Sequence, residues 1–212
     1  MKIKILQLLI LSLSINTACN NNSKSKKEVS ETKANASTFY HDIINARAGK
    51  DQHIIVNKII EADKMEDFKG LQYYAPDSNY VVNTFIEFLS PEKKIFKTST
   101  DREPIYYTFC KLNFKLNNTS HTLIAYSTEK ENVTDLFIPF KDSTNTLTTY
   151  GGGRYLELKY RNEKTNFIVD FNYAFNPYCH YNHTYSCPFV PQENWLNTNI
   201  LAGEKKLYEG EG

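Results

Sequence analysis

The residues best suited to chemistry crowd into the last third of the chain. Cys179 and Cys187 bracket His180 and His183, a set that thiol or metal chemistry can draw on. The first reading of this spacing is a short-range disulfide between Cys179 and Cys187, natural in an exported protein. Closing so short a loop would stabilise the fold by roughly 2.5 kcal/mol on the chain-entropy model. The rival is a zinc site built from Cys179, His180, His183 and Cys187, against which stands the difficulty of two adjacent side chains reaching one tetrahedral ion. The disulfide is therefore the expectation, with no metal and no cofactor. Cys110 has the inward parity of its strand and reads as a core thiol.

A second group is polar. Arg154, Asp170, Asn172, Asn176, Glu193, Asn194 and Glu204 lie in or beside segments that read as half-buried strands, where charges need partners. A structural pair of Arg154 with Asp170 or Glu204 is the plain explanation. The sharper one is a ligand pocket. There Arg154 would grip a carboxylate or phosphate bidentately, Asn172 and Asn176 would hydrogen-bond a ligand edge, and Tyr150 or Tyr155 would form an apolar wall. Glu193, Asn194 and Glu204 complete that candidate lining. A hydrolase using Arg154, Asp170, Asn172 and Glu204 is the alternative from another class. It lacks a nucleophile-and-base constellation, because there is no GxSxG or HExxH, and His41, His53 and His121 fall on separate elements. A third reading is a structural or partner-binding envelope protein. Gly151, Gly152 and Gly153 precede a strand rather than a helix and no Lys-Ser/Thr follows, so a tight strand entry is preferred to a phosphate cradle.

These residues must be positioned by strands. The 212 residues include 15 Tyr and 13 Phe against 2 Met and 1 Trp, a composition that favours pleated surfaces and argues against disorder. From Asn79 onward the apolar period is two. Tyr80, Val82, Ile86 and Phe88 share one parity, and Tyr106, Cys110, Leu112, Phe114 and Leu116 share another. Similar runs at 122–127, 136–140, 154–161 and 166–172 are separated by turn formers such as Asn117-Asn118 and Asn162-Glu163. Upstream, Phe39, Ile43, Ile44, Ile54, Ile55, Ile59 and Ile60 recur at a spacing nearer 3.6. That predicts a helix over 39–60, capped by Thr38 and broken near Gly49. The expected fold is mainly β: a single antiparallel sandwich or small barrel over 39–212, with the N-terminal helical segment packed outside.

The N-terminus reads as an export signal. Lys2 and Lys4 precede an apolar run from Ile5 to Ile15, and the small Ala18 sits directly before Cys19. The run is too short to span a bilayer. Residues 1–18 resemble a bacterial lipoprotein signal, which implies that Cys19 carries the lipid; an ordinary secreted protein is the next reading. Asn16 stands where such signals usually carry Leu. Residues 20–37 hold no aromatic residue and one branched aliphatic, Val29, and are expected to form a flexible tether with an end-to-end distance of roughly 23 Å. With 25 basic and 24 acidic side chains, the charge balance offers nothing to nucleic acid. The expected partner is the membrane, through lipid on Cys19, with a small molecule or an envelope protein as a further one. The expected location is the cell envelope, on the periplasm-facing outer membrane.

A final set of motifs carries a resemblance. Phe137-Ile138-Pro139-Phe140-Lys141-Asp142, Tyr150 to Leu156 with its GGGRYL, Asp170-Phe171-Asn172, Asn176-Pro177, Cys179, Cys187-Pro188, Pro191, Glu193-Asn194 and Ala202-Gly203-Glu204-Lys205 are similar to those of the domain of unknown function 1684 family. Tyr73 to Asp77 matches an earlier element more loosely. The departures are Tyr178, where a second Pro is frequent, and Trp195, where Arg is usual. The resemblance implies kinship of fold and no particular activity. The expectation is thus an envelope lipoprotein carrying a noncatalytic module, with a small-ligand pocket among the C-terminal motifs.

Overall fold

The computed structural model describes residues 21–161 and 166–207, with side chains from Ser37 onward. Internal contacts divide the chain into two units, residues 1–39 and 40–212. The signal, Cys19, Lys2, Lys4 and the Asn162-Glu163 turn lie outside the described residues. Among those described, no helix is long and apolar enough to cross a membrane.

Helix α1 (Asn21–Val56) differs from the sequence expectation at four points. Its backbone is helical from Asn21, although composition predicts an unstructured tether there; Lys, Glu and Ala are good helix formers by intrinsic propensity. Because the helix passes through Thr38, that residue does not cap it. Nor does Gly49 break it: no atom stands within 4 Å of the Cβ position there, and the neighbouring residues carry the helical backbone past it. The chain leaves the helix at Val56, and Ile59 and Ile60 lie beyond it. Ile54, Ile59 and Ile60 are buried in a small apolar cluster with Leu71 and Tyr181.

The remainder is one curled antiparallel sheet. Its strands are β1 (Val81–Phe88), β2 (Lys93–Ile95), β3 (Ile105–Leu116), β4 (Thr119–Ser127), β5 (Asp135–Phe140), β6 (Arg154–Lys159) and β7 (Asn166–Asp170). They are ordered β6-β5-β4-β3-β1-β7, with β2 also on β3. The β3–β4 hairpin turns on Asn117 and Asn118, both at positive φ, the backbone that a two-residue primed turn needs and Asn tolerates. The fold is mainly β, as the period-two patterning predicts. The layer opposite the sheet, however, is not a second sheet. Phe171, Ala174, Leu196, Ile200 and Ala202 of the C-terminal chain pack over Cys110, Leu112, Leu123, Ile138 and Leu156, and each such buried aliphatic contributes roughly 1.5–3 kcal/mol.

One register shift reassigns a residue. A bulge between Thr108 and Cys110 interrupts β3 against β4, so even-numbered residues before it face opposite to those after it. Cys110, Leu112, Phe114 and Leu116 enter the core, whereas Tyr106 stacks on Phe137 with ring centroids 5.1 Å apart, on the other face. Thr108 holds the bulge: its hydroxyl donates to Ser90 O and accepts from the Glu92 N–H.

Candidate functional site

Most of the polar residues singled out in the sequence hold the C-terminal chain in place. Arg154 starts β6 and is fully buried. Its guanidinium donates to the carbonyls of Ile200, Ala202 and Glu204, which the bend at Ala202 and Gly203 gathers around it. It also donates to Asp142 Oδ2 at 2.6 Å, forming an ion pair with both side chains excluded from solvent. The partner is Asp142, not Asp170 or the Glu204 carboxylate. Asp142 in turn accepts from the N–H groups of Thr144 and Ile200 and from the Thr144 hydroxyl. The fork is thus occupied from within and is not offered to a ligand.

Asp170 and Asn172 form a local lock. Asp170 accepts from the Asn172 N–H and side-chain amide, capping the 3₁₀ turn Phe171–Tyr173. Asn172 pairs with both backbone groups of Asp77. Burial, the dominant influence, raises the Asp170 pKa, while its bonds to Asn172 oppose that shift. Asn194 fills a gap in the sheet. Strands β4 and β5 pair directly only at Tyr126 and Phe137, and the Asn194 amide exchanges bonds with Ile124 N–H and C=O and donates to Pro139 O. Glu193 is exposed and accepts from the Tyr126 hydroxyl.

Glu204 is a second buried hub. It takes Lys50 Nζ at 2.6 Å, the Asn176 N–H and side-chain amide, and the Tyr181 hydroxyl. The Lys50 ammonium also lies over the Phe175 ring. Burial and the Glu204 carboxylate push the Tyr181 phenol far up, so it stays a donor. Sequence reasoning missed Lys50, Tyr181 and Asp142 as partners. The parity of helix or strand does not reveal which distant charge will meet which.

The four-ligand set does not assemble as a metal site. His180 is buried, accepts from the Leu207 N–H at its Nε2, and packs on Tyr150 with ring centroids 4.5 Å apart. Burial, with Lys50 and Lys64 nearby, pushes its pKa down to about 4. His183 instead pairs with Glu61, whose carboxyl that histidine holds down at about 2. Among the described residues no group of three His, Cys, Asp or Glu is placed to hold a metal ion. Cys179 and Cys187 do meet, but as free thiols rather than the expected disulfide. Their backbones come together because the 3₁₀ turn Tyr178–His180 reverses the chain beside the segment at Cys187, which is held against Ser99.

The glycine run is a strand entry. Gly153 has φ +98°, and a Cβ there would stand 2.8 Å from Phe140 O and 2.5 Å from the Val190 side chain. A Cβ on Gly152 would enter the Tyr150 ring.

Among several hollows, one of them larger and more open along β1, β3 and β4, an aromatic cleft of about 480 Å³ lies on the sheet face opposite the core. Its walls include Tyr106, Phe137, Tyr155, Phe175, Tyr178 and Cys187. Tyr155 meets Phe137 edge-on at 4.7 Å and Phe175 at 6.0 Å, while its hydroxyl donates to Pro188 O. Burial pushes that phenol far up. Glu157, exposed at the rim and opposite Phe137 in the β5–β6 register, has no hydrogen bond or ion pair among the described residues. Asp135 lies at the same rim but is tied to Lys159. Of the residues singled out in the sequence, Tyr155 and Cys187 line the cleft. Tyr150, Arg154, Asp170, Asn172, Asn176, Glu193, Asn194 and Glu204 do not. The alternation along β5 and β6 carried a signal for the rest, since Phe137 and Glu157 occupy the parity opposite to the core residues Leu136, Ile138 and Leu156.

Comparison with known proteins agrees with this architecture. A family model described as "Protein of unknown function (DUF1684)" matches residues 66–205. The solution structure of the uncharacterized protein from gene locus rrnAC0354 of Haloarcula marismortui is similar, with a TM-score of 0.62 and 32% identity, over 86% of this chain and 97% of that one. No curated protein matches.

Proposed function

We propose, from the premise that this chain belongs to the DUF1684 family, that it is a lipid-anchored envelope module that binds a small ligand without transforming it. The observation that carries the reading is the aromatic cleft of about 480 Å³, within the size range of small-molecule sites and mostly apolar in its walls. Its occupant is a flat, apolar molecule bearing a donor or a positive charge, received between aromatic rings by the Glu157 carboxylate, which has no ion-pair partner among the described residues. A binding role is favoured over hydrolysis because Arg154, Asp170, Asn172 and Glu204 are each spent on internal partners. The residues given to the alternative enzyme are thus also apart from the cleft.

The anchor half of the proposal rests on the sequence, where Ala18-Cys19 follows a short apolar leader and lipid chains on Cys19 would hold the module on the periplasmic face of the outer membrane. Two tests separate the halves. Fractionation should find wild type in the outer membrane and Cys19→Ala in the soluble fraction; equal partition of both rejects the anchor. Small-molecule extract from the envelope should raise the melting temperature of wild type and leave Phe137→Ala unmoved, whereas identical responses reject the cleft as the site.

A further inference from the structure

We propose that Cys179 and Cys187 are a redox-active dithiol that exchanges with the disulfide of a low-molecular-weight thiol, Cys179 attacking and Cys187 resolving. Four observations of geometry carry this. Both sulfurs are unbonded, and the Cys179 N–H donates to Cys187 Sγ at 3.2 Å, so bond formation needs little backbone movement. Cys187 is fixed: its N–H donates to Ser99 Oγ, its carbonyl accepts from the Ser99 N–H, and Pro188 bridges to Thr98. Cys179 is half-buried whereas Cys187 is buried, which makes Cys179 the more exposed residue of the pair. The remaining thiol among the described residues, Cys110, lies fully inside the sheet core, and burial pushes it up to about 12, so it takes no part.

The electrostatics agree with the assignment. The Cys187 thiol and the hydroxyls of Tyr150 and Ser99 hydrogen-bond to the Cys179 sulfur and bring its pKa down to about 7. The same shared proton holds Cys187 in the thiol form. A thiol that ionises near neutral pH is close to optimal as an attacking group, and stabilising its thiolate makes the couple more oxidising.

The exchange balances in two steps. The Cys179 thiolate attacks one sulfur of the small disulfide, forming a mixed disulfide and expelling one thiolate. Cys187 then gives up its proton to that thiolate and attacks the Cys179 sulfur, closing the intramolecular bond and expelling the second thiolate, which takes the proton lost by Cys179. Two electrons pass from the pair to the small disulfide, which leaves as two thiols. A static staple would differ in one respect, because it would not return to the dithiol while the protein stays folded. The inference does not depend on what the neighbouring cleft holds.

The test uses the purified full chain in mixtures of glutathione and glutathione disulfide, read by intact mass and by peptide mapping after alkylation. Wild type should lose two hydrogens, with the bond mapped to Cys179 and Cys187, and regain them in excess glutathione while near-ultraviolet circular dichroism stays native. Cys187→Ser should trap a glutathionyl adduct on Cys179. Cys179→Ser should acquire one on Cys187 about tenfold more slowly or worse. Should either variant fail to fold, the alkylation rates of the two thiols in wild type give the same ranking. A wild type that never loses the hydrogens overturns the proposal. So does a bond that glutathione opens only on unfolding, or a Cys187 that alkylates as fast as Cys179.

Discussion

Arg154 shows how a side chain that suggests a ligand grip becomes a clasp. A guanidinium carries its donors in a fixed fork, and here the fork meets three carbonyls two residues apart and one carboxylate, all buried. Arg154→Ala should therefore destabilise the protein by about 3–5 kcal/mol, because Asp142 is left buried and unpaired. Arg154→Lys should recover only part of this, since an ammonium cannot span the same carbonyls. Urea titration measures both, and an Arg154→Ala protein of native stability that loses only ligand binding would contradict the clasp. His180 gives a pH signature. Its folded pKa of about 4 lies below the ordinary value near 6.5, so the unfolded chain binds the extra proton between those values. Its contribution is complete above about pH 6.5 and is lost as pH falls toward 4, by roughly 3 kcal/mol in total. His180→Gln should flatten that part of the profile in denaturant titrations repeated from pH 7 to 4.

At the scale of elements, the C-terminal chain replaces a second sheet and is held by polar side chains rather than by a ladder. Asn194 stands between β4 and β5 and satisfies backbone groups that those strands do not satisfy for each other. Asn194→Ala should cost about 3 kcal/mol, the cost of leaving such groups buried and unpaired. Gly153→Ala should cost about 1–3 kcal/mol through its positive φ alone, with the contact to Phe140 O adding to it. Thermal unfolding of the two variants checks both, and a Gly153→Ala protein that melts with wild type would remove the strand-entry argument. The strands other than β2 were legible in the sequence because each buries residues on one face, and Asn117-Asn118 announced its turn; β2, three residues none of them buried, carried no such pattern. The face of Tyr106 was not, since a bulge inserts one residue without a composition signal. The continuity of α1 through Gly49 was equally hidden. Of the candidate site, Tyr155 as an aromatic wall was readable from the GGGRYL strand, whereas the ion pairs of Arg154 and Glu204 depend on distances that one sequence does not contain.

For the whole molecule, the sheet uses its two faces differently. One is closed by Phe171, Ala174, Leu196, Ile200 and Ala202 into the core. The other carries the aromatic cleft, bounded by β5, β6 and the turn at Tyr178. The clasps at Arg154, Asn194 and Glu204 thus hold the C-terminal chain in place and do not line the cleft. Phe137→Ala removes a wall ring without touching any of those clasps, but that ring also packs on Tyr106 and Tyr155, so its binding is read on protein whose near-ultraviolet circular dichroism stays native. Native mass spectrometry of the detergent-extracted full chain puts the central claim to the most direct test. The account predicts a small organic molecule retained by wild type and absent from Phe137→Ala protein that keeps its native circular dichroism; a chain that is bare in both, and stays bare after incubation with envelope small-molecule extract, would contradict it.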